Sequence, residues 1–400
     1  MRVLEINVVY GTGSTGRIVS GIKEVIEKHG DTCWTAYGRG MACGDIKIGT
    51  SFEIAVHGAI TRLFDCHGYG SIKATKKLID QIKEIHPDII HIHNVHGYYI
   101  NFPILFQFLR EWDKPIMWTL HDCWSFTGHC AHFSYKKCMK WKTACEDCPE
   151  KKSYPQSILC DRSKKNFLKK RKCFTSQQNM EIVVPSVWLQ NLVSQSFLNK
   201  YPITVIPTGI DLAKFNYTAK LSKYLNTVKE KRIVLGVANV WTERKGLYFF
   251  EELADKLGQK YQVVLVGEGS EQVKSNRILG IGKTDSIEEL AELYSSSYVY
   301  VNLTLEDTFP TTNLEALACG TPIITFDTGG SKESLDESCG YVVSQGDTDA
   351  VANLISSGAI EKITREACRK KAEKYNKEDK FECYYKKLRS MYEKNLEKHS

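Results

Sequence analysis

Residues 298 to 325 read YVYVNLTLEDTFPTTNLEALACGTPIIT. An apolar strand ends near Thr304, LEDTFPTT makes a loop, and TTNLEALACG forms a helix that Gly320 closes, with Pro322 just beyond. A second apolar strand then starts at Ile323. Strand, helix and strand at this spacing form a parallel unit. In open sheets of such units, ligands bind beyond the carboxyl ends of the strands. The loop places Glu306 and Asp307 there. Thr311 or Thr312 can cap the helix and leave its amides pointing the same way, while Glu315 projects from the first turns. One helix start needs only one cap, so acids on both sides of the segment ask for a ligand with several hydroxyls, on two parts such as a ribose and a hexose, or for a separate role for each acid.

The same alternation runs through the chain. Strands are expected at 3–9, 32–36, 89–93, 116–120 and 181–184, with helical patterns at 16–28 and 72–85 between them. The second half repeats this with strands at 233–237, 262–266, 299–303 and 323–326 and a helix at 287–294. The fold class is therefore α/β, with mostly parallel sheets covered by helices on both faces. The polar stretch NYTAKLSKYLNTVKEKR before Ile233 marks a boundary region. The division is an N-terminal domain at 1–203, a C-terminal domain at 204–380, and 381–400 as the end of a long last helix, 364–397, that returns to the first domain.

The 400 residues are 42% hydrophobic and 25% charged, enough for two separate cores. MRVLEINVVYGTGSTG reads as a first strand rather than a signal peptide, and no apolar run reaches the roughly 18 residues of a spanning helix. The expected location is cytoplasmic, with most of the 14 cysteines reduced. A net charge of +7 allows attraction to phosphates or to an anionic membrane face. Much of it lies in KKSYPQSILCDRSKKNFLKKRKCF, whose Lys164, Lys165, Lys169, Lys170, Arg171 and Lys172 could meet anionic lipid while Phe167, Leu168 and Phe174 supply apolar contact. A plain solvated helix face is the alternative. Interleaved aromatics are missing from the stretch, so no nucleic-acid partner is expected.

Four other stretches end strands. YGTGSTGRI carries Gly11, Gly13 and Gly16, which let backbone amides approach an anion at a helix start. TLHDCW offers His121 and Asp122, where the imidazole can hydrogen-bond a sugar hydroxyl or cap a neighbouring loop. In HIHN, alternation sends His91 and His93 to one face, with no carboxylate expected nearby; acceptor contacts or packing suit them better than a metal. NVWTERKGL puts Arg244 and Lys245 before Gly246 and a helix, so two cations and fresh amides converge on a diphosphate. Separately, Cys130, Cys138, Cys145 and Cys148 are spaced C-x7-C-x6-C-x2-C, which suits a structural zinc site or free thiols in an irregular loop.

The ordered set YGTGSTGR, TLHDCW, VVPSVWL, VIPTGID, ERKGL, VGEGS and EDTFPTTNLEALACGTPIIT resembles the family 4 retaining glycosyltransferases of the GT-B fold. The nearest likeness is to bacterial enzymes of capsular or exopolysaccharide synthesis. The resemblance covers nearly the whole chain. It implies two Rossmann-like domains facing across a cleft, the first taking the acceptor and the second the nucleotide sugar. It also implies a glycan or lipid-linked saccharide acceptor and no catalytic metal; the basic stretch adds the expectation that the cytoplasmic chain could touch the inner face of the plasma membrane. Lys245 matches the family's diphosphate lysine, Glu315 the acid on the ribose, and His121 the contact to the donor hexose. The family's first acid falls on Asp307, where Glu is usual, with Glu306 beside it. Phe309 matches the family's phenylalanine, yet Thr308 and Pro310 replace its glycines. No arginine stands at Asn239 or Val240, a place that Arg244 could fill. A sugar-nucleotide epimerase of this fold, or a non-catalytic sugar-nucleotide-binding protein, are the rival readings.

Overall fold

A computed structural model describes residues 1–40, 43–273 and 275–399. The chain forms two compact units, one built from Met1–Pro207 together with the residues from Lys380 on, the other from Thr208–Asp379.

The first unit holds strands β1 (Arg2–Tyr10), β2 (Thr32–Gly40), β3 (Ile46–Lys47), β4 (Ile89–Ile92), β5 (Ile116–Thr119), β6 (Met180–Val184) and β7 (Ile203–Val205). They pair in the order β3-β2-β1-β4-β5-β6-β7, all parallel. Every residue of β4 and β5 is buried, as expected for central parallel strands covered on both faces. One face packs on Leu78, Phe102, Phe106 and Phe174. The other takes Ile18, Ile22 and Ile26 of the Gly13–Lys28 helix together with Phe381, Tyr384 and Leu388. A Cβ at Gly21 would meet the Phe381 ring at 2.1 Å, so only glycine permits that approach.

The second unit holds β8 (Arg232–Val240), β9 (Tyr261–Glu268), β10 (Ile278–Ile281), β11 (Val299–Asn302), β12 (Ile323–Phe326) and β13 (Gly340–Val343). The order is β10-β9-β8-β11-β12-β13, again parallel.

The single last helix expected at 364–397 is two helices, Arg365–Glu373 and Lys377–His399. Between them the backbone turns to pair with residue 210: Ile210 N donates to the Tyr375 carbonyl at 2.7 Å and Lys377 N to the Ile210 carbonyl at 3.0 Å. These two bonds take groups a continuous helix would use internally.

The basic stretch also needs correction. Phe167 and Phe174 of the Ser163–Phe174 helix are buried in the core, and Lys170 is buried with them, donating to the Trp124 and Thr127 carbonyls at 2.7 and 3.1 Å. Leu168 alone of the three apolar residues faces solvent, while Lys164, Lys165, Lys169, Arg171 and Lys172 remain exposed. A different helix is apolar outward. On Ser51–Phe64, residues Phe52, Val56, Ile60, Leu63 and Phe64 are exposed while His57 and Thr61 are buried. Among the described residues no helix is long and apolar enough to cross a membrane.

Candidate active site

In the first unit, β1, β4 and β5 lie side by side and Glu5 is in register with His91. The expectation that no carboxylate stands near the two histidines is overturned. Glu5 Oε1 is 2.8 Å from His91 Nδ1, and its Oε2 is 2.9 Å from His93 Nε2. His93 Nδ1 is in turn 3.0 Å from His121 Nε2, with the two rings stacked. On the far side, His91 Nε2 is 2.8 Å from Thr119 Oγ1. Glu5, His91 and His93 are fully or almost fully buried, and His121, just past the end of β5, is half-buried. Burial pushes the Glu5 carboxyl up, but His91 and His93 more than offset this and hold it at about 2. Burial, then the neighbouring His91, lowers His93 to about 4. Burial and His93 likewise lower His121 well below the usual imidazole range. Asp122 serves the local turn, accepting from Trp124 N at 2.9 Å and lying 2.9 Å from His96 Nε2.

Gly13 opens the Gly13–Lys28 helix with a φ of 65°, and its preceding residue Thr12 makes no side-chain cap. The helix start is thus left with its amides uncapped by side chains. A cavity of about 400 Å³ lies elsewhere, lined by Pro115, Met180, Glu181 and Pro202 at the amino ends of β5 to β7. That is the wrong end of a parallel sheet for a substrate.

In the second unit, the loop between β11 and the Thr311–Ala318 helix is tied to the turn after β8. Leu305 N donates to the Arg244 carbonyl at 2.9 Å, and Arg244 Nη1 donates to the Glu306 carbonyl at 3.0 Å. The Arg244 guanidinium therefore braces the loop. Lys245 Nζ pairs with Asp307 Oδ2 at 2.8 Å. Gly246 has a φ of 78°, and a Cβ there would lie 2.0 Å from the Leu303 carbonyl oxygen, so the lysine can reach this place only because glycine follows it. Gly329 is held the same way, its absent Cβ 1.8 Å from the Asp307 carbonyl, which accepts from Gly330 N at 3.0 Å.

The two acids of the loop part company. Glu306 is buried, whereas Asp307 is half-buried beside Lys245. Phe309 is buried in the core against Tyr375, and its amide donates to Asp307 Oδ1 at 3.3 Å. It shapes the loop from below. Neither Thr311 nor Thr312 caps the helix: Pro310 occupies that position, which leaves both threonines inside the first turn and the helix start without a side-chain cap. Glu315, half-buried, accepts from the Tyr294 hydroxyl at 3.0 Å. Asn313 is fully buried and ties the helix down, through Asn302 Nδ2 at 2.8 Å and its own bonds to Ser331 O and Ser334 Oγ at 3.1 and 3.0 Å. Sequence reading missed Tyr294, Asn313 and Gly329, since their partners lie far along the chain. A buried polar residue at position three of a helix is the one signal that could have marked Asn313.

Cys130, Cys138, Cys145 and Cys148 line one cavity of about 10 Å³ together with His129. The hydrogen bond from Cys130 lowers the Cys148 thiol to about 7, while that same bond and burial raise Cys130. His129 Nδ1 is 2.6 Å from Asp65 Oδ1, and its buried Nε2 has no hydrogen-bond partner. Among the described residues, the ligand-atom trio that converges within 4.8 Å is Glu5, His91 and His93 rather than the thiols, and its atoms are already engaged with one another.

The family described as Glycosyltransferase Family 4 matches residues 47–214, and that described as Glycosyl transferases group 1 matches residues 231–358. The chain is 26% identical over 297 residues to WcaC of Escherichia coli K12, named for a glycosyl transferase role in colanic acid biosynthesis, covering 72% of this chain and 71% of that protein. It is 25% identical over 202 residues, 45% of this chain and 51% of the relative, to the E. coli UDP-Gal:alpha-D-GlcNAc-diphosphoundecaprenol alpha-1,3-galactosyltransferase. In structure it resembles Anabaena HepE, solved in complex with UDP and glucose, with a TM-score of 0.68 at 14% identity over 98% of this chain and 100% of that one.

Proposed function

Because the chain belongs to the family 4 and group 1 glycosyltransferases of the GT-B fold, we propose that it moves a sugar from a nucleoside-diphosphate donor to a glycan or lipid-linked saccharide, with retention at the anomeric carbon. The observation that carries this reading is the pairing of Lys245, on the turn after β8, with Asp307, on the loop after β11, while that loop runs into the helix that carries Glu315. Lys245 would hold the diphosphate, Glu315 the ribose hydroxyls, and Asp307 and His121 the hexose. As the bond from the anomeric carbon to the diphosphate oxygen breaks, the electron pair leaves with the diphosphate, whose growing charge Lys245 and uncapped helix amides stabilise. The acceptor hydroxyl forms the new bond from the face the diphosphate leaves, and its proton departs with a diphosphate oxygen.

The relatives that act with or bind uridine nucleotides support a uridine diphosphate sugar as the donor. The relative acting on a diphosphoundecaprenol saccharide supports a lipid-linked acceptor. The screen that tests this incubates the purified chain with a panel of sugar nucleotides and a lipid-linked saccharide. Released nucleoside diphosphate in step with glycosylated acceptor is the expected result. Binding without either product would favour the non-catalytic reading, and a changed donor sugar without transfer the epimerase.

Two further features complete the proposal. Structural zinc on Cys130, Cys138, Cys145 and Cys148 is supported by their shared one-atom cavity and by buried Lys170, whose ammonium would offset anionic thiolates. Peripheral membrane contact moves from the basic helix to Ser51–Phe64, whose outward face is apolar and whose Arg62 backbone carbonyl bonds Ile158 of the equally exposed Ile158-Leu159 pair. The exposed lysines of the Ser163–Phe174 helix would add attraction to anionic lipid.

A further inference from the structure

We propose that Glu5, acting through His93, fixes the tautomer of His121, so that Nδ1 of His121 offers a lone pair to a hydroxyl of the donor sugar. This rests on the reading above, in which His121 meets that sugar.

Hydrogen-bonding capacity places the protons along the buried row. An ionised carboxylate only accepts, so Glu5 takes a hydrogen from His91 Nδ1 on one oxygen and from His93 Nε2 on the other. His93 therefore carries its proton on Nε2. One carboxylate faces two imidazoles whose ring centres are 4.1 Å apart, and it cannot balance a charge on both. A neutral His93 leaves Nδ1 bare, and bare Nδ1 must accept from whatever lies 3.0 Å away, which is His121 Nε2. His121 then has its proton on Nε2 and its lone pair on Nδ1. The depressed basicity of His93 and His121 is consistent with both rings staying neutral.

The physical purpose is orientation. A histidine at a strand end can present either a donor or an acceptor to a substrate, according to which ring nitrogen carries the proton. Here the choice is made two strands away across the sheet, by a fully buried carboxylate on β1 that cannot donate. The row also reaches the helix Lys377–His399, whose Tyr384 ring stacks on His91 with centroids 5.8 Å apart. The whole row lies within the first unit. Glu5 and His93 are thus positioning residues, and the recognised chemistry is a hydroxyl that donates.

The test uses the full chain labelled with ¹⁵N-histidine, the His121 signals being assigned by their loss in His121→Gln. Near neutral pH, the expected spectrum shows a bare Nδ1 and a protonated Nε2 on His121. In His93→Phe that preference is lost, and kcat/KM for the donor falls about tenfold or more, as when one hydrogen bond loses its partner. His93→Asn puts an amide oxygen near the place of Nδ1 and should restore both in part. Glu5→Gln, which can accept from only one of the two imidazoles, should disturb the tautomer of His91 or of His93 and His121. A wild-type His121 protonated on Nδ1, or an unchanged tautomer with unchanged turnover in folded His93→Phe, overturns the proposal. The wild-type spectrum decides by itself if the variants do not fold. An expected spectrum beside a failed donor screen would leave the tautomer assignment standing and remove only the functional reading.

Discussion

The Lys245 ammonium and the Asp307 carboxylate are 2.8 Å apart and both half-buried. Two groups assigned to different parts of one donor are thus partners of each other. A diphosphate must draw Lys245 away from Asp307, and the hexose must then satisfy the acid. Asp307→Asn should bind free nucleoside diphosphate more tightly, by about fivefold for a pair worth about 1 kcal/mol, yet turn over the intact donor more slowly. Lys245→Ala should lose about 2–4 kcal/mol of transition-state stabilisation. Calorimetry with the free diphosphate and steady-state rates with the donor check both. Weaker diphosphate binding in Asp307→Asn would show that the acid touches the nucleotide instead.

Tyr294 reaches Glu315 from the Ile287–Ser295 helix and donates to it at 3.0 Å. Removing that hydroxyl takes one hydrogen bond from the carboxylate without touching the ligand. Tyr294→Phe should weaken nucleoside binding by about 1 kcal/mol, with a larger loss in Glu315→Ala. The check is a titration with a nucleoside diphosphate and its 2′-deoxy analogue. If Tyr294→Phe acts through the ribose contact, the deoxy analogue should bind wild type and variant almost alike.

Acid should destabilise the first unit in a defined window. His57 accepts from Gly68 N and Gly70 N, both at 3.1 Å, through Nε2, and burial lowers it from 6.5 to about 4. Between those values the unfolded chain binds a proton that the folded chain refuses, so stability falls as the pH drops from 6.5 towards 4. His93 shifts the same way, to about 4. Glu5, lowered from 4.5 to about 2, loses its contribution only below 4.5. The midpoint of thermal unfolding should therefore be lower at pH 5 than at pH 7.5. His57→Gln, which keeps an acceptor but cannot take the proton, should show a smaller drop, and an equal drop would place the acid sensitivity elsewhere.

Elemental analysis of freshly purified protein should show about one zinc per chain, lost in the double variant Cys130→Ser, Cys148→Ser, with a lower unfolding temperature. Brief treatment with EDTA should spare initial turnover. A metal-free chain of undiminished stability would leave the cysteines as packed thiols. Turnover abolished by EDTA and restored by magnesium would point to a catalytic metal.

Vesicles containing anionic lipid should carry the chain with them on flotation, and Phe52→Ser with Ile60→Ser should abolish this while turnover on a water-soluble acceptor persists. Uncharged vesicles should bind less, because the exposed lysines then find no partner. Binding left intact by the two substitutions would move the contact to another surface.

The parallel architecture was legible because β4, β5, β11 and β12 are short, mostly apolar runs between helical periods, as burial on both faces requires, each with a single polar residue: His91, Thr119, Asn302 and Thr325. The loop from Glu306 to Glu315 was legible for the same reason, since it follows a strand and opens a helix. Its details were not. Whether Glu306 or Asp307 faces Lys245 depends on bonds from Arg244 and Gly330, which approach from other parts of the chain.

Local sequence determined which residues carry chemistry and at which strand ends they stand. Tertiary structure alone decided their partners, because a parallel sheet brings together strands that are tens of residues apart. Glu5 meets His91 and His93 through the register of β1 against β4, a relation no local spacing encodes. The last helix breaks at 374–376 because Ile210 claims its backbone there. Phe167 and Phe174 turn inward while Phe52 and Ile60 turn outward, although all four lie on amphipathic-looking segments. Periodicity reports that a helix has two faces, and only the packing of the remaining elements settles which of them meets water.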